Sequence, residues 1–283
     1  MSAEPEPELP TYEEFISSLG KKKQFTIDVP FELLSTIRYD PLLSKTPPRS
    51  AKEVKKENFF LLPEHIERIK FTLEFFGRLD DKSFKLNNAQ FTIDESLMLD
   101  KLIDALEHSE VNIRKPLKIR LLINKAGDAK IELYETAERK SLLDGLIDDF
   151  PDSKRYDVYV DKTPVLASPF TSFKTTHRDI YTEARTRALP GKSAREEVIV
   201  INTTSEVMEG SITNIAIKSK QGIWITPKLT SGCLCGVTRH FLLRKNFIQE
   251  GDISVEMLRT GHDVMLMNGV MGCVRGTIKG FVG

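Results

Sequence analysis

Residues 170–178 read Phe170-Thr171-Ser172-Phe173-Lys174-Thr175-Thr176-His177-Arg178, and residues 209–214 read Glu209-Gly210-Ser211-Ile212-Thr213-Asn214. The first stretch predicts an apolar strand over 170–174 that ends on lysine. A helix over about 176–189 follows, capped by Thr175 or Thr176 and stopped by Pro190-Gly191. A lysine so placed stands at the rim of a cleft, where loss of water favours the neutral amine, a nucleophile toward a carbonyl. A lysine ahead of a helix is ordinarily a solvated charge. The apolar and hydroxyl-bearing neighbours of Lys174, and the order of the segments after it, favour a catalytic role instead. Glu209 precedes small residues that let a flat ring approach the backbone, whereas Glu196, Glu197 and Glu206 read as members of a wet strand face.

Two further segments suit a phosphate. After Pro227 comes Thr230-Ser231-Gly232-Cys233-Leu234-Cys235-Gly236-Val237-Thr238-Arg239, and Val237, Phe241, Leu242 and Ile248 then recur with helical spacing up to Gly251. That pattern is a glycine turn opening a helix, whose free N–H groups at Val237 and Thr238 point toward an anion. Arg68 lies in a second helix begun by Pro63, and its guanidinium can chelate two phosphate oxygens. The alternative for Arg68 is a surface ion pair with Glu64, four residues earlier. An amine, a carboxylate and a phosphate cradle together fit one cofactor, pyridoxal 5'-phosphate.

These segments, in this order, resemble the fold type IV family of pyridoxal phosphate enzymes, which includes branched-chain aminotransferases, D-amino acid aminotransferases and 4-amino-4-deoxychorismate lyases. The likeness runs from about Phe31 to Ile278. It is carried by Thr36-Ile37-Arg38-Tyr39-Asp40-Pro41, Glu64-His65 with Arg68, Lys174-Thr175-Thr176 with Arg178, Leu234 with Gly236-Val237-Thr238-Arg239, and Asn268-Gly269. The Lys-Thr-Thr-x-Arg and Ile-Arg-Tyr-Asp-Pro segments lean toward the lyases; an aminotransferase, or a non-catalytic binding relative, is the alternative. The resemblance implies an α+β fold of two domains, a smaller N-terminal α/β sandwich and a larger β-rich, barrel-like C-terminal domain, with the active site at their junction. It also implies a homodimer and a small substrate bearing carboxylates.

Roles follow from the resemblance residue by residue. Lys174 would hold the cofactor and move protons, and Glu209 would bond the pyridine nitrogen. Arg68, Val237 and Thr238 would hold the phosphate, with Asn268-Gly269 closing over it. Arg38, on a strand that lines the substrate side in the family, is the first candidate for a substrate carboxylate, with Arg120 and Arg178 as others. The family's usual glutamate two positions before the isoleucine-arginine pair is Ser35 here.

The 283 residues are 40% hydrophobic, enough for two domains around a shared cleft. Lysine plus arginine balances aspartate plus glutamate at 41 each, so no basic field attracts nucleic acid or an anionic membrane. The acidic, proline-containing start, Met1-Ser2-Ala3-Glu4-Pro5-Glu6-Pro7-Glu8, lacks the pattern of a signal peptide, so a loose tail over about 1–10 and a cytoplasmic chain are expected. The three cysteines, Cys233, Cys235 and Cys273, are too few for a disulfide framework, and Cys233, Cys235 and His240 lack the spacing of zinc ligands, so no metal is expected.

Along the chain we expect an N-terminal domain over 1–150: a strand over 31–38, a surface insertion over about 44–58, a helix over 63–76, and a second helix whose capping box is Thr92-Ile93-Asp94-Glu95. A hairpin over 117–123 and 130–134, turning at Lys125-Ala126-Gly127-Asp128, completes it. The C-terminal domain, 151–283, is expected to be mostly β, with strands over 156–160, 198–201, 207–217, 223–226 and 264–267.

Overall fold

Period-two alternation in three segments gives the first sheet. Strands β1 (Leu33–Tyr39), β2 (Leu117–Ile123) and β3 (Ala129–Glu135) pair antiparallel in that order, with Ile37 opposite Ile119 and Leu121 opposite Ile131. The β2–β3 hairpin turns where expected, with Gly127 at φ 90° and the Asn124 amide bonded to the Asp128 carbonyl. Helices α1 (Leu62–Arg78) and α2 (Glu95–Glu107) bury one face each, Ile66, Ile69 and Phe76 from the first and Met98, Leu102 and Leu106 from the second. The computed structural model describes residues 29–78 and 93–283. Thr92 of the expected capping box and the expected tail over 1–10 lie outside the described residues. Asp94 stands at the N-cap of α2, so Glu95 opens the helix instead of serving as its third residue.

The described chain divides into two compact units. One holds the residues up to Lys140 together with Lys174–His177; the other holds Ser141–Phe173 and Arg178–Gly283. The first break between the units falls between Lys140 and Ser141. The insertion over 44–58 forms two short 3-10 turns, Ala51–Glu53 and Lys56–Asn58. Asn58 is buried there and donates to the Pro41 carbonyl and the Ser44 hydroxyl, which fastens the insertion to the end of β1.

The C-terminal unit is one sheet of eight strands: β4 (Tyr156–Val165), β5 (Glu196–Asn202), β6 (Val207–Gly210), β7 (Asn214–Lys218), β8 (Trp224–Pro227), β9 (Gln249–Gly251), β10 (Asp263–Asn268) and β11 (Gly272–Val282). Their order is β6-β5-β4-β11-β10-β7-β8-β9, with β4 parallel to both β5 and β11. Only residues 211–213 separate β6 from β7 in the chain, yet the two strands lie five places apart in this order. A flat sheet would hold them about 24 Å apart, at about 4.8 Å per strand. Four Cα steps of about 3.8 Å reach no further than about 15 Å. The sheet must therefore curl until its sixth strand faces its first, a half-barrel. Val158, Val160, Ile199, Ile215, Leu266 and Ile278 pack into one core. Each such side chain, fully buried, contributes about 1.5–3 kcal/mol.

Three local expectations are corrected. The strand over 170–174 is a short helix, α3 (Pro169–Ser172), because Pro169 at its first position and Ser168 with Thr171 in a capping box make a helical turn that outweighs the apolar run. The next helix, α4 (Asp179–Ala188), starts after Arg178, and Thr176 caps nothing; its hydroxyl accepts from the Glu32 amide. The single strand over 207–217 is broken into β6 and β7 by the turn at 211–213. β11, which is not among the expected strands, takes in Gly272 and Gly276 and pairs with both β10 and β4.

Candidate active site

The segment Lys174–Thr176 lies antiparallel along the free edge of β1 in the N-terminal unit. Leu34 N–H donates to the Lys174 carbonyl at 2.9 Å, Thr176 N–H to the Glu32 carbonyl at 2.9 Å, and Leu33 pairs with Thr175. Backbone pairing on both sides of Lys174 fixes its direction, and the period of two turns Lys174 and Thr176 to one face and Thr175 to the other. Helix α1 brings Arg68 and His65 to the same strand. The Arg68 Nη2 donates to Ser35 Oγ at 3.1 Å, and Ser35 Oγ lies 2.8 Å from His65 Nδ1. Burial, then the charges of Arg68 and Lys174, hold His65 well below the usual histidine range, so the ring is neutral. Two buried polar atoms of this unit, His65 Nε2 and Thr175 Oγ1, find no hydrogen-bond partner among the described residues. An amine and a guanidinium carried to one strand suit a polar, phosphate-bearing ligand.

The C-terminal unit builds its own cluster around Glu209, at the end of β6. The carboxylate is buried, and among its donors are the Tyr181 hydroxyl to Oε1 at 2.5 Å and the Asn214 amide and the Leu234 N–H to Oε2, both at 3.2 Å. Burial and then Glu209 push the Tyr181 phenol well above its ordinary range, so it stays a donor. Asn214 is pinned again by donating to the Leu234 carbonyl at 2.8 Å. Its Oδ1 lies so near Gly236 that a Cβ there would sit 1.8 Å from it. Gly236 is the N-cap of α5 (Val237–Arg244), the helix expected to present the Val237 and Thr238 amides. Thr238 Oγ1 donates to the Asn268 carbonyl at 2.9 Å, and Asn268 Nδ2 donates to the Ile212 carbonyl at 3.2 Å. Asn268 Oδ1 also takes the amides of Val270 and Met271, so Asn268-Gly269 is a built turn. Val237, Thr238, Asn268 and the 211–213 turn thus meet in one unit.

Glu197 overturns its expectation. It is not on a wet face but 1% exposed, and it accepts from Ser211 N and Oγ, Ile212 N, Thr213 Oγ1 and its neighbour Val198 N. Glu196 is buried as well and takes the amides of Gly191, Lys192 and Ser193. Alternation along β5 does not reveal this, because both faces of the strand are covered. The signal was the run of hydroxyls and amides at 211–213, which needs an acceptor.

Arg38 is 1% exposed, paired with Asp40 at 2.7 Å, and bonded to the Ala137 carbonyl. A guanidinium held this way by an internal carboxylate braces the end of β1. Arg120 pairs with Glu132 at 3.0 Å. Arg178 donates to the Ser211 carbonyl and lies over the Tyr181 ring, 4.9 Å from its centroid. Cys233 is buried with its thiol directed at the Pro227 and Lys228 carbonyls, and burial pushes its pKa up to about 12, so it is a packed thiol. No group of three His, Cys, Asp or Glu side chains among the described residues is arranged to hold a metal ion. No helix among them is long and apolar enough to cross a membrane.

A curled eight-stranded half-barrel in one unit and a three-stranded sheet with packed helices in the other are the two folds of the fold type IV aminotransferases. Residues 51–277 match amino-transferase class IV, and the chain belongs to that family. One relative, the aminodeoxychorismate lyase of Saccharomyces cerevisiae, is 37% identical over 263 residues, a match covering 80% of this chain and 69% of the yeast protein. Among solved structures, the branched-chain amino acid aminotransferase of Escherichia coli aligns with a TM-score of 0.61 at 17% identity, over 90% of this chain and 78% of that one. The branched-chain aminotransferase of Thermoproteus uzoniensis aligns with a TM-score of 0.59 at 17% identity, over 89% and 78%. At such identities the structural likeness is one of fold.

Proposed function

We propose that this chain is a pyridoxal phosphate-dependent aminodeoxychorismate lyase, releasing 4-aminobenzoate and pyruvate for folate synthesis. The observation that carries the reading is the 37% identity to the yeast lyase across 263 residues, joined to a chain that keeps Lys174, Arg68 and Glu209. When bound, the cofactor supplies a protonated ring that draws electrons from the substrate carbon. Lys174 would hold it covalently through Nζ until the substrate's amine takes that place, and the freed Nζ would then take a proton from the amine-bearing carbon and return one to the departing three-carbon fragment. Arg68 and the amides of Val237 and Thr238 hold the phosphate, with Asn268-Gly269 beside them. Glu209 would bond the ring nitrogen, with Tyr181, Asn214 and the Leu234 N–H donating to its carboxylate.

Within this reading the enzyme works in the cytoplasm on a small substrate bearing carboxylates, as a homodimer, the usual assembly in the family; sedimentation of the purified protein tests the last point. The deciding assay supplies aminodeoxychorismate alone and counts both products. An elimination regenerates the aldehyde form each cycle, so 4-aminobenzoate and pyruvate should accumulate in equal amounts over many turnovers without any keto acid. Failure to form 4-aminobenzoate, with conversion of leucine or D-alanine in the presence of 2-oxoglutarate, assigns the chain to the aminotransferases instead.

A further inference from the structure

Ser35 and His65 are buried beside Arg68, at 1% and 0% exposure, and nothing in the proposed chemistry uses them. Their geometry fixes their protonation. An arginine only donates, so Ser35 Oγ accepts from Arg68 Nη2. The same Nη2 lies 3.4 Å from His65 Nδ1, and Ser35 Oγ lies 2.8 Å from it. A nitrogen facing these donors is the unprotonated one, so the proton of the neutral ring sits on Nε2. That Nε2 finds no partner among the described residues. The atom of His65 that engages the serine and the guanidinium is therefore Nδ1.

We propose that Ser35 and His65 are a positioning pair for Arg68: the hydroxyl and the imidazole fix the guanidinium in the direction from which it grips the cofactor's phosphate. This rests on the reading that Arg68 binds that phosphate. Both partners are neutral, so they orient the guanidinium without adding a negative charge to oppose the anion. In the family that the sequence resembles, a glutamate usually stands in the place of Ser35; here a hydroxyl with a neutral ring behind it does the orienting. Holding a long, flexible side chain in its binding geometry before the ligand arrives removes part of the ordering cost of binding.

The test is equilibrium binding of pyridoxal 5'-phosphate, and separately of pyridoxal, to the apoprotein of wild type and of His65→Leu, His65→Asn, Ser35→Ala and Arg68→Ala. Loss of one charge-assisted hydrogen bond predicts about a tenfold weaker affinity for the phosphorylated ligand in His65→Leu and Ser35→Ala, with pyridoxal binding within about twofold of wild type. Asparagine places its Oδ1 near the position of Nδ1, so His65→Asn should recover most of the loss. Combining Ser35→Ala with His65→Leu should weaken binding no more than the worse single change, because the two act in one chain. Equal losses for both ligands, or additive effects, overturn the positioning role. Ser35→Ala removes a single atom from a strand side chain and keeps the test open if the leucine variant does not fold. A loss in Arg68→Ala without one in the other variants overturns the pair alone. Unchanged affinity in Arg68→Ala overturns the phosphate role of Arg68 and the pair with it.

Discussion

Replacing Gly236 with alanine tests how the Glu209 cluster is held. The backbone of Gly236, at φ −77° and ψ 141°, is open to any residue, so conformational freedom is not why glycine stands there. By that criterion alone, alanine should stabilise the protein by about 0.4–1 kcal/mol, since it restricts the unfolded chain. Packing predicts the opposite sign. The new Cβ would lie 1.8 Å from Asn214 Oδ1 and 3.0 Å from its Cγ. Asn214 is buried, with two rotatable bonds, and its Nδ2 is committed to Glu209 at 3.2 Å and to the Leu234 carbonyl at 2.8 Å. Moving it breaks both. A bond to a carboxylate is worth about 1.5–3 kcal/mol and a neutral one about 0.5–1.5. The net expectation is therefore a loss of about 1–4 kcal/mol. At a urea m-value of about 2–3 kcal/mol/M, that lowers the unfolding midpoint by up to about 1–2 M. Adding Asn214→Ala to Gly236→Ala should cost little more, because the asparagine has already been displaced. A Gly236→Ala protein as stable as wild type, or a double variant whose losses add, would refute the steric account of this glycine.

The remaining predictions address chemistry and pH. Borohydride reduction of the cofactor-loaded protein followed by peptide mapping should place the label on Lys174, and Lys174→Ala should carry none; label on another lysine removes the central assignment. Glu209→Gln should retain the cofactor but turn over more slowly, while Arg68→Ala should chiefly weaken retention; titrating cofactor into each apoprotein separates the two effects. Glu197→Ala should cost more than about 3 kcal/mol in urea unfolding, since it strands the donors of the 211–213 turn, and a loss under about 1 kcal/mol would show that the turn holds itself. The folded-state pKa of His65 lies below the ordinary 6.5. As pH falls, the unfolded chain therefore takes up this proton first. The contribution of His65 to stability is complete above about 6.5 and declines below it, toward the folded-state value. His65→Asn should flatten that part of the stability profile between pH 5 and 7, and an unchanged slope would count against a neutral buried ring.

How much of this was legible depended on whether the signal was local. The β2–β3 hairpin was readable because alternation and a turn glycine lie within about twenty residues of one another. Lys174 was readable as a residue but not as a structure: the capping box of Ser168 and Thr171 turns the residues before it into a helix, and its extended backbone comes from pairing with β1, some 140 positions away. Helix cap rules failed at Thr176 for the same reason, since its hydroxyl answers a β1 amide instead of its own helix. β11 was missed because its glycines suggest turns, whereas in the folded unit they let strands pack closely; a Cβ on Gly276 would lie 2.5 Å from Val158 Cγ2.

The buried acids and bases were the least legible part, and the reason is general. Glu197, Ser35 and His65 look like ordinary strand and helix residues until the partner arrives from a distant segment, because the free energy that permits a buried polar group lies in its partners. The sequence order of Lys174, Glu209 and Gly236-Val237-Thr238 offered candidates for touching a cofactor. It did not name those that hold them: Tyr181 and Asn214 on Glu209, Glu197 under the 211–213 turn, and Ser35 with His65 on Arg68. Residues that touch a ligand are constrained by the ligand's chemistry, which is known beforehand. Residues that orient them are constrained only by the space available, so a serine backed by a histidine can stand beside Arg68. It follows that the reaction type of such a chain is better read from its contacting residues, and its cofactor affinity from the pairs behind them.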